Sequence, residues 1–362
     1  MTASISDILL DWYANHAREL PWRNPPGKAV PNDAAWPYRV WLSEVMLQQT
    51  TVAAVKPYFA KFTATWPTVF DLAAEDEGAV MAAWAGLGYY SRARNLVKCA
   101  AQVAELGGFP ETEEELRKLP GLGAYAAASI TAIAFGKRAV VIDANVERVV
   151  SRLFAIEEPL PASRKAIRAH ADAITPHAIG TDQSSDFAPG NFAQAMMDLG
   201  AQICTNKAPR CLLCPLANHC EGRKLGEPER LPIKPPKKAK PERLGTAFWI
   251  ERGGEGGREV WIATRPAQGM FGGMRGLPDD GWTAREDGSG QQPISGQGKD
   301  LGAVRHTFTH AHLTLKVVRI KSTTQPDGDG EWWPVERIGQ AGLPTLFAKA
   351  ARLIEAQDDD AS

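Results

Sequence analysis

The spacing of apolar residues changes once along this 362-residue chain, near residue 226, and that change limits the folds open to it. Upstream, apolar residues recur at helical intervals, whereas downstream they alternate with polar residues as in strands. The helical stretches include Ile5–Trp12, Trp41–Met46, Leu96–Ala104 and Val146–Phe154, and the alternating ones are Thr246–Ile250, Glu259–Thr264 and His312–Ile320. The pattern predicts a mostly α N-terminal part followed by a smaller α+β C-terminal domain.

Composition places the boundaries between these parts. We expect a helical domain over residues 1–225, a Pro- and Lys-rich semi-rigid linker over 226–243, an α+β domain over 244–357 and an acidic tail over 358–362. Within the second domain we expect a late helix over Thr345–Ala356 and a mobile loop over Gly281–Lys299, which is rich in Gly, Gln and Ser.

Charge and hydropathy exclude some classes of protein. The longest uncharged run, Leu119–Gly136, opens with a Pro-Gly turn and is rich in Ala, Ser and Thr, so we interpret it as a turn and a short buried helix rather than a membrane span. Asp7 and Asp11 replace the basic start of a signal peptide. We therefore expect a cytoplasmic protein. We also expect it to be a monomer. The net charge of −1 means that any nucleic-acid partner must be bound through local sites.

Four of the five cysteines are clustered, with the spacing Cys204-x6-Cys211-x2-Cys214-x5-Cys220. In a chain without an export signal, such a cluster favours metal ligation over disulfides. Zinc and iron–sulfur clusters both accept four cysteines, and the long gaps favour the larger cluster. The spacing resembles the iron–sulfur loop of the endonuclease III superfamily of DNA glycosylases, and this resemblance implies a 4Fe-4S cofactor.

Two acidic residues and one glycine-rich turn are candidates for a site. Gly121 and Gly123 precede an Ala-rich helix whose first amides could bind a DNA phosphate, although a plain helix–helix turn explains them equally well. Asp143 directly precedes the helical stretch from Val146, where it could cap the helix, face a developing cation, or do both. Glu44 lies in an otherwise uncharged apolar stretch.

The string around Glu44, Val40-Trp41-Leu42-Ser43-Glu44-Val45-Met46-Leu47-Gln48-Gln49-Thr50, closely resembles the signature of MutY-type adenine DNA glycosylases, which contain a helix-hairpin-helix. The segments Trp84–Arg94 and Phe192–Gly200 are also similar to that family.

The resemblance implies a role for each matching residue. It makes Glu44 and Asp143 catalytic, with Tyr125 and Asn145 orienting them, and it assigns Arg23 and Gln194 to the adenine pocket. It further implies that DNA or the opposite base is contacted by Gln48, Gln49, Thr50, Leu87, Tyr89, Gly121 and Gly123, with Leu87 and Tyr89 as wedges. Core packing is the alternative for Leu87.

The expected reaction is hydrolysis of the N-glycosidic bond of adenine opposite 8-oxoguanine or guanine in double-stranded DNA, during base excision repair. One carboxyl must protonate the leaving base and a second must stay ionised beside the sugar. Bifunctional relatives carry a lysine where this chain has Tyr125, so we expect base removal without strand cleavage.

The second domain resembles a Nudix fold that has lost the glutamate-rich Nudix string. Phe308, Thr309 and His310 resemble the family's 8-oxoguanine-reading loop, with Thr309 in place of its usual serine. His306, His310 and His312 leave zinc binding open as an alternative.

Two other functions fit parts of this evidence. An endonuclease III-like pyrimidine glycosylase with lyase activity is disfavoured by Tyr125 and Glu44. A non-catalytic iron–sulfur protein that binds DNA or transfers electrons is disfavoured by the pairing of Glu44 with Asp143.

Overall fold

A computed structural model describes residues 4–28, 31, 33–177, 188–236, 239–254, 257–266, 270–308 and 310–359. The chain divides into two compact units, Met1–Pro236 and Lys237–Ser362. The first unit is helical and the second contains a mixed sheet with helices. This confirms the predicted fold class, a mostly α part followed by a smaller α+β domain.

Twelve α-helices can be traced in the described part of the first unit. They are α1 (Ile5–His16), α2 (Ala35–Leu47), α3 (Val52–Thr65), α4 (Val69–Ala73), α5 (Glu77–Trp84), α6 (Tyr90–Glu105), α7 (Glu113–Leu116), α8 (Ala124–Phe135), α9 (Ala144–Leu153), α10 (Arg164–Ile174), α11 (Ala188–Gln202) and α12 (Glu221–Lys224). None of the helices in the described ranges is both long enough and apolar enough to cross a membrane.

Two of these helices, α2 and α8, form the centre of the first unit. Both are buried over most of their length, and they pack against each other. The helix α8 lies within the uncharged run Leu119–Gly136 and begins directly after the glycine-rich turn, as the sequence predicts. A helix that is apolar on every side is stable only inside a core. The buried faces of the two helices therefore place polar side chains such as Glu44 of α2 and Ser129 of α8 inside the protein.

The predicted linker is shorter in the structure than residues 226–243. Leu231 is buried in the first unit, and its carbonyl accepts a hydrogen bond of 3.0 Å from Arg152 Nε. Further along, the carbonyl of Ile233 accepts a hydrogen bond of 2.8 Å from the amide of Leu160. At the other end, the first strand of the second unit already begins at Glu242. Apolar anchoring of Leu231 therefore draws the start of this Pro-rich segment into the helical unit.

The second unit is built on one mixed sheet. Its strands are β1 (Glu242–Gly254), β2 (Gly257–Thr264), β3 (Arg275–Gly276), β4 (Gly298–Thr307), β5 (His312–Lys321) and β6 (Gly330–Pro334). The order is β3-β2-β1-β5-β4, with β6 also paired to β2. The pair β1–β5 is parallel, from Glu242↔His312 to Glu251↔Lys321, and the other pairs are antiparallel.

The last helix, α13 (Thr345–Asp359), packs against β4. Its buried side chains, including Phe347 and Ile354, join a core that contains Trp249 and Leu315 of the sheet. The helix runs past the predicted end at Ala356 and into the segment that we expected to be a tail. The three predicted alternating stretches lie within β1, β2 and β5, which confirms them as strands.

Candidate active site

A cavity of about 920 Å³ opens into the first unit between the N-terminal ends of α8 and α9 and the C-terminal half of α2. This volume lies in the usual range for ligand pockets. Ten of the predicted site residues line it: Arg23, Glu44, Gln48, Gln49, Thr50, Gly123, Tyr125, Asp143, Asn145 and Gln194. The remaining predicted residues of the first unit, Leu87, Tyr89, Gly121 and the four cysteines, are not among those that line it.

Glu44 places a buried carboxyl group at this cavity. It lies on the buried helix α2, and only 6% of its surface is exposed. Burial raises the pKa of Glu44, and the nearby negative Asp143 adds to that rise. The hydroxyls of Tyr125 and Ser129 and the positive Arg23 act on the pKa in the opposite direction. Among the described residues, the enclosed Oε2 atom of Glu44 has no hydrogen-bond partner.

Asp143 is held by two hydrogen bonds at the start of α9. Its Oδ1 accepts a bond of 2.7 Å from the amide of Val146, which is the geometry of a helix N-cap. Its Oδ2 accepts a bond of 2.8 Å from Asn145 Nδ2. The capping role and a position in the cavity therefore coexist, and the carboxylate has little freedom to rotate.

A chain of hydrogen bonds continues from Asn145 to the cysteine-rich loop. Arg148 Nη2 donates to Asn145 Oδ1 at 2.9 Å and to the carbonyl of Gly200 at 2.6 Å. Arg148 Nε donates to the carbonyl of Cys204 at 2.7 Å. Arg148 was not predicted as a site residue from the sequence, although it lies on α9 about one turn after Asp143.

Arg23 is fixed by a carboxylate that the sequence analysis also missed. Asp198 of α11 is fully buried and accepts hydrogen bonds from Arg23 Nη1 and Nη2, at 2.7 and 2.9 Å. Arg18 Nε donates to the same carboxylate at 2.6 Å. Gln194 precedes Asp198 by four residues, so the two side chains share one face of α11. An acid within an apolar helix was the available signal.

Tyr125 reaches the cavity from the first turn of α8. Its hydroxyl donates to Met197 Sδ at 3.5 Å. Burial raises the pKa of Tyr125 well above its ordinary value, and the charges of Glu44 and Asp143 raise it further. The Tyr125 side chain is therefore a neutral hydroxyl group, and its pKa is affected by both carboxyl groups of the cavity.

The glycine-rich turn before α8 has the backbone that its sequence predicts. Gly121 has φ +78°, a conformation that favours glycine, and a Cβ there would lie 2.9 Å from Asn95 Cβ. Gly123 is the N-cap residue of α8 and supplies no side chain to cap the first amides. The exposed helix terminus could therefore accept a phosphate oxygen.

The two predicted wedges differ in their environment. Tyr89 has 51% of its surface exposed, whereas Leu87 has 7% and packs in the core of the first unit. In this conformation the apolar side chain of Leu87 has a packed site, and its insertion between bases stays a prediction. Core packing, the alternative for Leu87, fits the structure.

The four clustered cysteines face one another around a small cavity. Cys204, Cys211, Cys214 and Cys220 all line it, none is in a disulfide, and all four are partly buried. The buried Arg152 Nη1 lies 3.4 Å from Cys204 Sγ. In the described ranges, no three His, Cys, Asp or Glu side chains are close enough to hold a single metal ion. Four cysteines around one cavity are a donor set that a 4Fe-4S cluster accepts.

The predicted reading loop lies in the second unit, where Phe308 belongs to an aromatic cluster. Its ring centroid lies 4.5 Å from that of His306, 5.8 Å from that of Phe271 and 5.9 Å from that of Trp282. Lys240 Nζ donates to the carbonyl of Phe308 at 2.8 Å. His310 is exposed, and Thr309 lies outside the described residues.

Both units of the chain are similar to known families. The family described as "HhH-GPD superfamily base excision DNA repair protein" matches residues 42–176, and the NUDIX domain family matches residues 246–353. The adenine DNA glycosylase of Homo sapiens is 33% identical, over 96% of this chain and 73% of that protein. The enzyme of the same name from Mus musculus is 32% identical, over 96% and 77%.

A solved structure of a thermostable thymine-DNA glycosylase matches 61% of this chain and 95% of its own, with 26% identity and a TM-score of 0.51. The chain thus shares its helical architecture with a DNA glycosylase and most of its length with adenine-specific ones. It belongs to the adenine DNA glycosylase family, whose members cleave the N-glycosidic bond of adenine in DNA during base excision repair.

Proposed function

We propose that this enzyme removes adenine paired with 8-oxoguanine or guanine in double-stranded DNA, acting as a monomer and without cutting the strand. The observation that carries the proposal is the cavity shared by Glu44 and Asp143, in which one carboxyl is buried, with one oxygen that has no partner among the described residues, and the other is fixed by donors. An adenine can enter it only after leaving the base stack.

Glu44 is the general acid in this proposal. A buried carboxyl that keeps its proton near neutral pH can protonate N7 of adenine, so that the base leaves as a neutral molecule. The bond between N9 and C1′ breaks, and its electron pair stays with the base. Glu44, now ionised, then accepts a proton from the water that attacks C1′. The products are adenine and an abasic site.

Asp143 stabilises the sugar while this bond breaks. The sugar develops positive charge, and a carboxylate held in place by Val146 and Asn145 needs no reorganisation to meet it. In this proposal Glu44, whose pKa is raised, supplies the proton, and Asp143, whose orientation is fixed, supplies the negative charge beside the sugar.

Arg23 and Gln194 would bind the flipped adenine. A glutamine amide can pair with both N6 and N7 of adenine, which gives Gln194 a way to select this base. The carboxylate of Asp198 holds Arg23 at the cavity wall, so its position is set before the base arrives.

Contacts outside the pocket would recognise the DNA and the mispair. In this proposal Gly121 and Gly123 would meet a phosphate, and Gln48, Gln49, Thr50 and Tyr89 would meet the strand opposite adenine. Phe308, Thr309 and His310 would read 8-oxoguanine from the second unit. We further propose that the four cysteines hold a 4Fe-4S cluster, which would fix the shape of the loop between Cys204 and Cys220.

The test is incubation of the enzyme with duplexes that carry adenine opposite 8-oxoguanine, guanine, cytosine or thymine. We expect base release from the first two, with strand breaks that appear only after alkali treatment. Equal rates on all four duplexes would contradict the proposed mispair preference, and breaks without alkali would contradict the absence of lyase chemistry at Tyr125.

A further inference from the structure

Arg92 of α6 is a buried cation that no part of the mechanism above uses. Only 9% of its surface is exposed. Within the described ranges its hydrogen-bond partners are backbone carbonyls and one hydroxyl, and no carboxylate pairs with it. Removing a guanidinium from water is costly unless its donors are satisfied, so this arrangement calls for a physical role.

One nitrogen of Arg92 closes the end of the helix that carries Glu44. Nη1 donates to the carbonyls of Val45 and Met46, at 3.1 and 2.9 Å. These carbonyls belong to the last turn of α2, where the helix offers them no amide. A positive charge is also favourable at this negative end of the helix dipole.

The other terminal nitrogen of Arg92 joins two separate turns. Nη2 donates to Thr50 Oγ1 at 3.0 Å, in the turn of residues 48–50. It also lies 3.3 Å from the carbonyl of Leu87 and 3.4 Å from that of Gly88, in the turn of residues 86–89. The guanidinium carbon stacks 5.3 Å from the ring centroid of Tyr89. One planar group thus links α2 and both turns.

Both turns contain a residue in a conformation that must be held by its surroundings. Gln49 has φ +57° and Tyr89 has φ +49°, which is the left-handed region that non-glycine residues rarely adopt. Each of these residues lies next to a group that Arg92 binds. Without the guanidinium, the strained turns would have fewer restraints and would sample other conformations.

We propose that Arg92 is a positioning residue for recognition of the base opposite adenine. Its bidentate guanidinium fixes the 48–50 turn relative to the 86–89 turn, so that Gln48, Gln49, Thr50 and Tyr89 meet the opposite strand as one surface. This inference rests on the proposed function, because it assumes that these turns face that strand. Arg92 itself touches neither the adenine nor the reacting atoms.

The variants Arg92→Lys and Arg92→Met test the inference. Lysine keeps the charge but concentrates its donors at one point, so it cannot bridge the carbonyls of α2 and both turns. We expect the ratio of single-turnover rates, adenine opposite 8-oxoguanine over adenine opposite guanine, to fall about tenfold in Arg92→Lys, the scale of one lost charge-assisted hydrogen bond. Lys98→Met, on an exposed position of the same helix, is the matched control.

Active-site titration separates this role from a general loss of folding. A merely structural role would lower the active fraction, or lower the rates on every duplex alike, and an unchanged ratio overturns the inference. Amide hydrogen exchange of the free enzyme gives a second readout, and we expect faster exchange in residues 48–50 and 86–90 of Arg92→Lys but not of Lys98→Met. If the wild-type enzyme shows no mispair preference, the proposed function fails, while the exchange data still decide whether Arg92 fixes the turns.

Discussion

Glu44 and Asp143 share one cavity but lie in opposite surroundings. Glu44 stands within a buried apolar helix, with one oxygen that has no hydrogen-bond partner among the described residues. Asp143 stands at the first turn of a helix, where a backbone amide and an asparagine donate to it. Burial raises the pKa of Glu44 and favours its neutral form, against the opposing effect of the hydroxyls of Tyr125 and Ser129, whereas the two donors to Asp143 fix the orientation of that side chain. The comparison teaches that backbone position and neighbouring side chains give two similar carboxyl groups surroundings that suit the different roles we propose for them.

Of the variants proposed here, Glu44→Gln should cause the largest loss of catalytic rate, because it removes the proposed acid and leaves Asp143 unchanged. Glutamine keeps the shape of the side chain but cannot deliver a proton, and general acid catalysis contributes about 100- to 10,000-fold to rates. We expect the single-turnover rate on adenine opposite 8-oxoguanine to fall by at least about a thousandfold, with DNA binding retained in a gel-shift measurement. A rate equal to that of the wild-type enzyme would remove Glu44 from the mechanism.

The substitution Asp143→Asn should have the next largest effect. Asparagine also caps helices well, so the stability should change little, but the negative charge beside the sugar is lost. Loss of one preorganised electrostatic group lowers rates by about 100- to 1,000-fold, and we expect a fall in this range.

Asp143→Ala is the matched comparison, because it removes the charge and the cap together. We expect the same loss of rate, and in addition a loss of ~1 kcal/mol in the free energy of unfolding. Equal stability of the two variants would show that the cap contributes nothing.

The smallest expected effect concerns stability and pH. Burial raises the pKa of Glu44 in the folded state above its value in the unfolded chain. The folded protein therefore binds the proton more tightly, and the stability gained at low pH is lost as the pH rises through the folded-state pKa. Glu44→Gln should match the wild-type stability in acid and exceed it at alkaline pH, by ~1 kcal/mol.

Thermal unfolding measured across this pH range, with the exposed Glu19→Gln as control, would reveal the difference. A difference between Glu44→Gln and the wild-type protein that does not depend on pH would show that burial has not altered the proton affinity of Glu44.

The sequence predicts much of this site because local patterns specify it. A single acid in an apolar stretch identifies Glu44, an acid before a helical stretch identifies Asp143, and resemblance to a family supplies the rest. Asp198 and Arg92 were missed for a common physical reason. The partners that matter lie far away in the sequence, at Arg23 for Asp198 and at Val45 and Met46 for Arg92, so only the packed fold brings donor and acceptor together.

Leu87 and the linker show a second limit of prediction from the sequence. The motif that contains Leu87 indicates which family the chain resembles, but it does not predict whether the Leu87 side chain is buried. That burial depends on packing against helices that are distant in the sequence. The Pro-rich composition predicts an extended segment after residue 226, yet one apolar residue, Leu231, anchors part of it to the helical unit. Composition averages over residues, whereas a single contact can decide where a domain ends.

The parallel pairing of β1 with β5 has a consequence for synthesis of the chain. Strand β1 is the first strand of the second unit to be synthesised. Its partner along one edge, β5, ends only at Lys321. Until that residue is made, the backbone amides and carbonyls on that edge of β1 have no strand to bind, and an open edge invites pairing with other chains. One edge of β1 is therefore open to pairing with other chains while residues 255–321 are being translated.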